Sequence, residues 1–113
     1  MKKIEAIVRQ EKYIDLQEAL NEIDVHGITV YQVMGCGHQK GYTNVVRGNK
    51  VEINMLPKVK FEIVVSTEEW VKKTVDVIQK VAYTGNVGDG KIFIYDLDDV
   101  IRIRTGEHGI DAI

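Results

Sequence analysis

Cysteine and proline occur once each in this chain, at Cys36 and Pro57, and tryptophan once, at Trp70. A single thiol excludes an internal disulfide framework and fits a reducing cytoplasm. Three scattered histidines and that one cysteine make no metal-ligand spacing. Neither sign of charge is in large excess: the formal net charge is −2, so no general attraction to nucleic acid, and no direct binding of it, is implied. No apolar run approaches the roughly 18 residues of a membrane span. The first residues show no secretory pattern, and a cytoplasmic chain is expected. No serine–histidine or cysteine–histidine pairing stands out, and no carboxylate pair is singled out for acid–base work. Cys36, between Gly35 and Gly37, reads as a small packed side chain rather than a nucleophile. Visible catalytic apparatus is lacking.

What is present is ordinary globular material. The 113 residues, 44% apolar and 28% charged, suit one domain with one core. Ile4, Ala6 and Val8 alternate with Lys3, Glu5 and Ile7, which is a half-buried strand. Leu16, Ala19, Leu20 and Ile23 recur at helical spacing and predict an amphipathic helix over 14–23. A β-branched run from Ile28 to Met34 predicts a second strand. Residues 38–55 show no continuous period; Val51 to Ile53 is at most a short strand. A loop that long in so small a chain is usually functional or disordered. Its excess of base and its valines fit an arm that docks on another protein better than a solvated linker. Val59, Phe61, Ile63 and Val65 mark a third strand. Ser66 with Glu69 reads as a capping box opening a second helix, with Val71, Val75, Ile78 and Ala82 as its stripe. Lys91 to Leu97 is the fourth strand, Val100 to Ile103 a candidate short further one, and 105–113 a tail apart from a candidate turn at Thr105-Gly106-Glu107.

Strand-helix-strand, long loop, strand-helix-strand is the split βαβ, or ferredoxin-like, order: an α+β fold with an antiparallel sheet and both helices on one face. The other face carries Glu5, Lys60, Glu62 and Val64, mixed in character and suited to association of identical chains.

One stretch organises the rest. Thr84 to Gly90 holds three glycines in six positions, followed at once by Lys91 and the apolar Ile92-Phe93-Ile94. Glycines allow positive φ and close approach, and successive N–H groups in such a turn can line an anion site. The stretch fits a plain tight turn as well as a phosphate cradle. It matches neither GxGxxG nor GxxxxGK[ST]. Arg102 and Arg104, alternate residues of an extended segment, would supply two more cations on one side. The competing reading pairs them with Asp96, Asp98 or Asp99 as surface bridges. Lys58, where the long loop returns, is either a strand-end lysine or part of a small-anion site with Gln39 and Gly41.

Three segments together resemble the PII nitrogen-regulatory signal proteins: Gly35-Cys36-Gly37-His38-Gln39-Lys40-Gly41, then Leu56-Pro57-Lys58-Val59-Lys60, then Thr84 to Phe93 with Arg102-Ile103-Arg104-Thr105-Gly106-Glu107. The resemblance runs nearly end to end, over 1–113 as one PII-type domain. It implies a homotrimer with three clefts where ATP and ADP compete and where 2-oxoglutarate joins MgATP. By position, Gly88, Asp89, Gly90 and Lys91 would hold phosphates, with Arg102 and Arg104 reaching in from an adjacent subunit along the segment 102–113. Thr29, Glu62 and Val64 fall at adenine positions. Gly35, Gly37, His38, Gln39 and Val87 complete the nucleotide set. Gln39 would ligate Mg²⁺ beside 2-oxoglutarate, and Lys58 would pair with its distal carboxylate, with Lys40, Gly41, Val87 and Gly88 around it. Residues 37–55 correspond to the T-loop and 83–91 to the glycine-rich phosphate loop.

The T-loop departs from the family at three places. Val51 stands where one branch has the uridylylated tyrosine, and Asn49 where another has a phosphorylated serine. Ligand alone is therefore expected to set the state. His38 replaces the usual arginine, making that phosphate contact weaker or pH-dependent. Tyr42, Arg47, Lys50 and Val51 are the expected partner contacts; in transporter-binding relatives an arginine like Arg47 plugs the ammonia channel. The resemblance thus implies a cytoplasmic, non-enzymatic sensor, membrane-associated through an ammonium transporter, with glutamine synthetase, nitrogenase or a transcription factor as other partners. The rival readings are a slow ATPase or nucleotidyl-transfer enzyme using Asp89 or Glu62 in the same cleft, and a purely structural trimer.

Overall fold

The computed structural model describes residues 1–36, 43–46, 49–52 and 55–113. β1 (Lys2–Arg9) leads through a short 3-10 turn (Gln10–Lys12) into α1 (Tyr13–Glu22) and then β2 (Ile28–Gly35). β3 (Thr43–Val46) and β4 (Asn49–Glu52) pair with each other. β5 (Leu56–Val65), α2 (Glu68–Ala82) and β6 (Gly90–Asp96) follow. The main sheet runs β2-β5-β1-β6 with every pairing antiparallel, which is the ferredoxin-like order.

Register explains the core. Ile4 lies opposite Ile63 and Ile94, and Ala6 opposite Phe61 and Ile92, so these residues share the face toward the helices. Leu16 and Leu20 of α1 and Val71 and Ile78 of α2 close over that face, and all join one buried cluster with Ile4, Phe61 and Ile63. Val75, expected in the α2 stripe, packs at its edge, and Thr74 is fully buried in its place. The Thr74 hydroxyl has no partner among the described residues, and nothing in the structure explains it.

Three local expectations need correction. Thr67, not Ser66, caps α2: its Oγ1 accepts the Trp70 N–H at 3.3 Å, and Glu68 and Glu69 then fall in the first turn. The three-residue reach from Thr67 to Trp70 fits a capping side chain, and acids there complement the helix N-terminus. The long loop holds a two-stranded ladder over 43–46 and 49–52. Its β-branched residues favour strand, although the sequence there lacks continuous alternation. Val100 to Ile103 is not a strand, and 105–113 is not a loose tail. Ile101 makes a single bridge to His108, and Gly109–Ala112 forms a 3-10 turn.

On the sheet face away from the helices, Glu5 and Glu62 lie directly opposite each other, with Lys60 beside Ile7 and Val64 beside Lys3. Phe93 and Tyr95 on β6 and Tyr31 on β2 stand partly exposed there. That face is mixed, as the sequence pattern predicts.

Candidate functional site

β1 ends at Arg9, which pairs across the sheet with Lys58 near the start of β5, next to the point where β6 begins. The glycine-rich loop 83–89 crosses this end of the sheet. Gly85, Gly88 and Gly90 all have positive φ, at 88°, 104° and 105°. At Gly90 the requirement is also spatial, because a Cβ there would sit 1.7 Å from the Ile7 carbonyl oxygen.

Asp89 closes the loop from inside. Its carboxylate accepts the Thr84 hydroxyl, the Thr84 N–H at 2.8 Å, the Gly85 N–H at 2.9 Å and Arg9 Nε at 3.0 Å. Those bonds, the Thr84 hydroxyl foremost, hold the Asp89 carboxyl well below the ordinary carboxylate pKa. Two cations then take the loop's carbonyls: Arg9 Nη2 donates to Val87 O at 2.9 Å, and Lys58 Nζ donates to Gly88 O. Lys58 is buried, and burial, then the charge of Arg9, pushes its ammonium pKa down. With its carbonyls turned toward these cations, the loop closes a turn over 86–89 and leaves the N–H groups of Val87 and Gly88 without a hydrogen-bond partner among the described residues.

The structure therefore brings Lys58, Val87, Gly88, Asp89 and Gly90 together, with Lys91 exposed at the start of β6. A cleft of about 340 Å³ is lined by Asp89, Gly90, Lys91, Gln79 and Tyr83. Gly35 packs on the stem of Lys58, where an added Cβ would lie 3.1 Å from its Cγ. Of the adenine positions, Thr29 and Glu62 are cross-strand neighbours on the open face. Val64 instead lines a larger cleft of about 490 Å³ with Gly27, Trp70, Val100 and Ile113. Gly37, His38, Gln39, Lys40, Gly41, Tyr42 and Arg47, and the side chains of Lys50 and Val51, lie outside the described residues. Among the described residues no group of three His, Cys, Asp or Glu side chains is placed to hold a metal.

Arg102 and Arg104 do not share a side of an extended segment. Gly106 N donates to Arg102 O at 2.8 Å and closes a turn over 102–106. Nor does Arg102 pair with Asp96, Asp98 or Asp99: its Nη1 lies 3.0 Å from Glu107, while Asp96 meets Lys2 and Asp99 meets His108. Arg104 is exposed.

Arg9 is the site residue that sequence reasoning missed. It carries no motif. The signal available was positional: antiparallel order places the last residue of β1 beside the loop that feeds β6.

The carboxylates set an acid limit. Asp89, Asp96 beside Lys2 and Asp99 beside His108 all have lowered pKa values. As pH falls, the unfolded chain then takes up protons first. Their stabilisation is full above the ordinary value of 3.8 and disappears as pH falls through it toward the folded values. Unfolding by urea at stepped pH should show stability declining in that window, with a shallower decline in Asp89→Asn. An unchanged slope in that variant contradicts the role given to Asp89.

The family model for nitrogen regulatory protein P-II matches residues 1–107. The chain is 51% identical over 113 residues to the nitrogen regulatory protein P-II of Pasteurella multocida, covering the full length of both. It is 50% identical to that of Rhodospirillum rubrum over the full length of both. It is 51% identical to nitrogen regulatory protein P-II 1 of Methanothermobacter thermautotrophicus, covering 97% of that protein.

Proposed function

Because the chain belongs to the P-II nitrogen regulatory protein family, we propose that it is a ligand-operated regulator rather than an enzyme. In this reading it binds ATP or ADP at the glycine loop and 2-oxoglutarate beside Lys58, and it passes the result to residues 37–55. The observation that carries the proposal is the orientation of the loop. Arg9 and Lys58 hold the Val87 and Gly88 carbonyls, and the amides of Val87 and Gly88 are left open, three residues before the exposed Lys91. Open amides with a cation at the mouth are what a polyphosphate needs.

Two features support assembly as a homotrimer. Arg102 meets Glu107 and Ile113 of its own chain and not its own glycine loop, which leaves it and the exposed Arg104 to serve a cleft in a second copy. Ile101 is 57% and Ile103 100% exposed, so apolar side chains alternate with the arginines on the same segment, and Phe93 and Tyr95 add exposed apolar surface on β6. The regulatory reading is further supported by Asp89, whose carboxylate is occupied with hydrogen bonds and is acidified, which makes it a poor general base.

Mg²⁺ would be shared between the nucleotide phosphates and Gln39. The chain works in the cytoplasm, drawn to the membrane when it docks on an ammonium transporter through Arg47. Glutamine synthetase, nitrogenase or a transcription factor would meet the same loop at Tyr42, Lys50 and Val51. With Val51 and Asn49 at the modified positions of relatives, bound ligand alone sets the state.

A thermal-unfolding panel tests this. ATP or ADP at about 100 times Kd should stabilise the protein by about 2.7 kcal/mol. Adding 2-oxoglutarate to MgATP should raise the midpoint further, whereas 2-oxoglutarate alone should not. No nucleotide-dependent shift contradicts the proposal, and phosphate release far above background, abolished by Asp89→Asn, would replace it with an ATPase.

A further inference from the structure

The Thr105-Gly106-Glu107 turn enters the reading above only as the place where Arg102 is held, yet it is densely hydrogen-bonded in its own right. Arg102 N donates to Glu107 O at 2.9 Å, and Gly106 N to Arg102 O at 2.8 Å. Glu107 N donates to Thr105 Oγ1 at 3.2 Å. Gly106 takes a φ of 71°, the left-handed region that favours glycine. Just beyond, Asp99 Oδ1 accepts the N–H groups of Val100 and Gly109 at 2.8 and 3.0 Å. The backbone carrying Glu107 is thus fixed from both sides.

Its side chain acts on one residue. Glu107 Oε1 lies 3.0 Å from Arg102 Nη1, while Arg102 Nη2 donates to Ile113 O at 3.4 Å. These two acceptors use two of the five guanidinium N–H donors and leave the others to offer. An exposed ion pair alone contributes little to folding. One built on a closed turn does something different: it holds a long, rotamer-rich side chain in one place before any anion arrives. An arginine already ordered gives up less freedom on binding.

We propose that Glu107 is a positioning residue, whose carboxylate holds the Arg102 guanidinium ready for the phosphates of a nucleotide bound to a second copy of the chain. The inference rests on the reading that Arg102 meets those phosphates, and the test separates the two. The full-length protein is titrated with ATP by calorimetry as wild type, Arg102→Ala, Glu107→Ala, Glu107→Gln and the Arg102→Ala/Glu107→Ala double variant. Glu107→Ala should raise Kd about threefold to fivefold, the range of an exposed ion pair. Glu107→Gln, which can still accept from Nη1, should recover at least half of that loss. The double variant should match Arg102→Ala alone, because Glu107 acts only through Arg102. A Glu107→Ala protein that binds as tightly as wild type or tighter, or losses that add in the double variant, overturns the inference and leaves the nucleotide reading intact. No binding by wild type, or binding unchanged in Arg102→Ala, overturns the underlying reading and the inference with it.

Discussion

Replacing Gly90 with alanine should cost about 4 kcal/mol or more of stability, at the upper end for a single substitution. Two effects add. The residue sits at a φ of 105°, where an L side chain is strained by roughly 1–2 kcal/mol. The new Cβ would also fall 1.7 Å from Ile7 O and 2.8 Å from Ile7 C, both backbone atoms of the neighbouring strand. No flexible side chain can yield there, so β6 must move off β1 at the Val8–Gly90 pair. That pair is also where the phosphate loop is anchored. Urea unfolding should show a much lower midpoint, and any protein that stays folded should lose nucleotide binding. Gly106→Ala is the contrast: nothing lies within 4 Å of its added Cβ, so only the strain of its φ of 71° remains. Equal losses at the two positions would contradict the packing argument.

The second large effect is coupling between the two small ligands. 2-Oxoglutarate should bind at least about tenfold more tightly with MgATP present than without it, within the usual range of coupling energies. Lys58 supplies a physical route. Its ammonium is buried and bonded to Gly88 O, so a carboxylate drawn to it engages a group that already holds the phosphate loop. By reciprocity the dicarboxylate must tighten MgATP by the same factor. Lys58→Met keeps the stem that packs on Gly35 and removes the charge. It should abolish 2-oxoglutarate binding while nucleotide alone still binds through the amides of Val87 and Gly88. Calorimetry measures both arms. Equal 2-oxoglutarate affinity with and without MgATP, or a Lys58→Met protein that still binds it, would contradict the route.

The sheet was readable from the chain because its alternation has a cause: Ile4, Ala6 and Val8 face a core while Lys3 and Glu5 do not. The glycine loop was readable because positive φ leaves a compositional trace at Gly85, Gly88 and Gly90. Features that depend on contacts between distant segments left no such trace. Arg9 reaches Val87 and Asp89 across about eighty positions of sequence, and a strand-end arginine looks like any solvated one. Asp89 read as a phosphate-loop residue or a base; that its carboxylate also ties the loop to Thr84 and Gly85 left no trace in the sequence. Arg102 and Arg104 read as an extended pair because period-two reasoning assumes a strand. The Gly106 N–H bond to Arg102 O turns the chain there instead. The capping residue was missed by one position, since Ser66 and Thr67 both have a hydroxyl and only the backbone decides between them.

The central claim is that the open amides of Val87 and Gly88, with Lys91, grip the phosphates of an adenine nucleotide. A crystal structure of the protein grown with ADP tests it most directly. The account predicts phosphate oxygens within hydrogen-bond distance of those amides and of Lys91 Nζ, with Arg102 or Arg104 of another copy closing the site. Nucleotide bound elsewhere, with the loop amides facing only solvent, would contradict it.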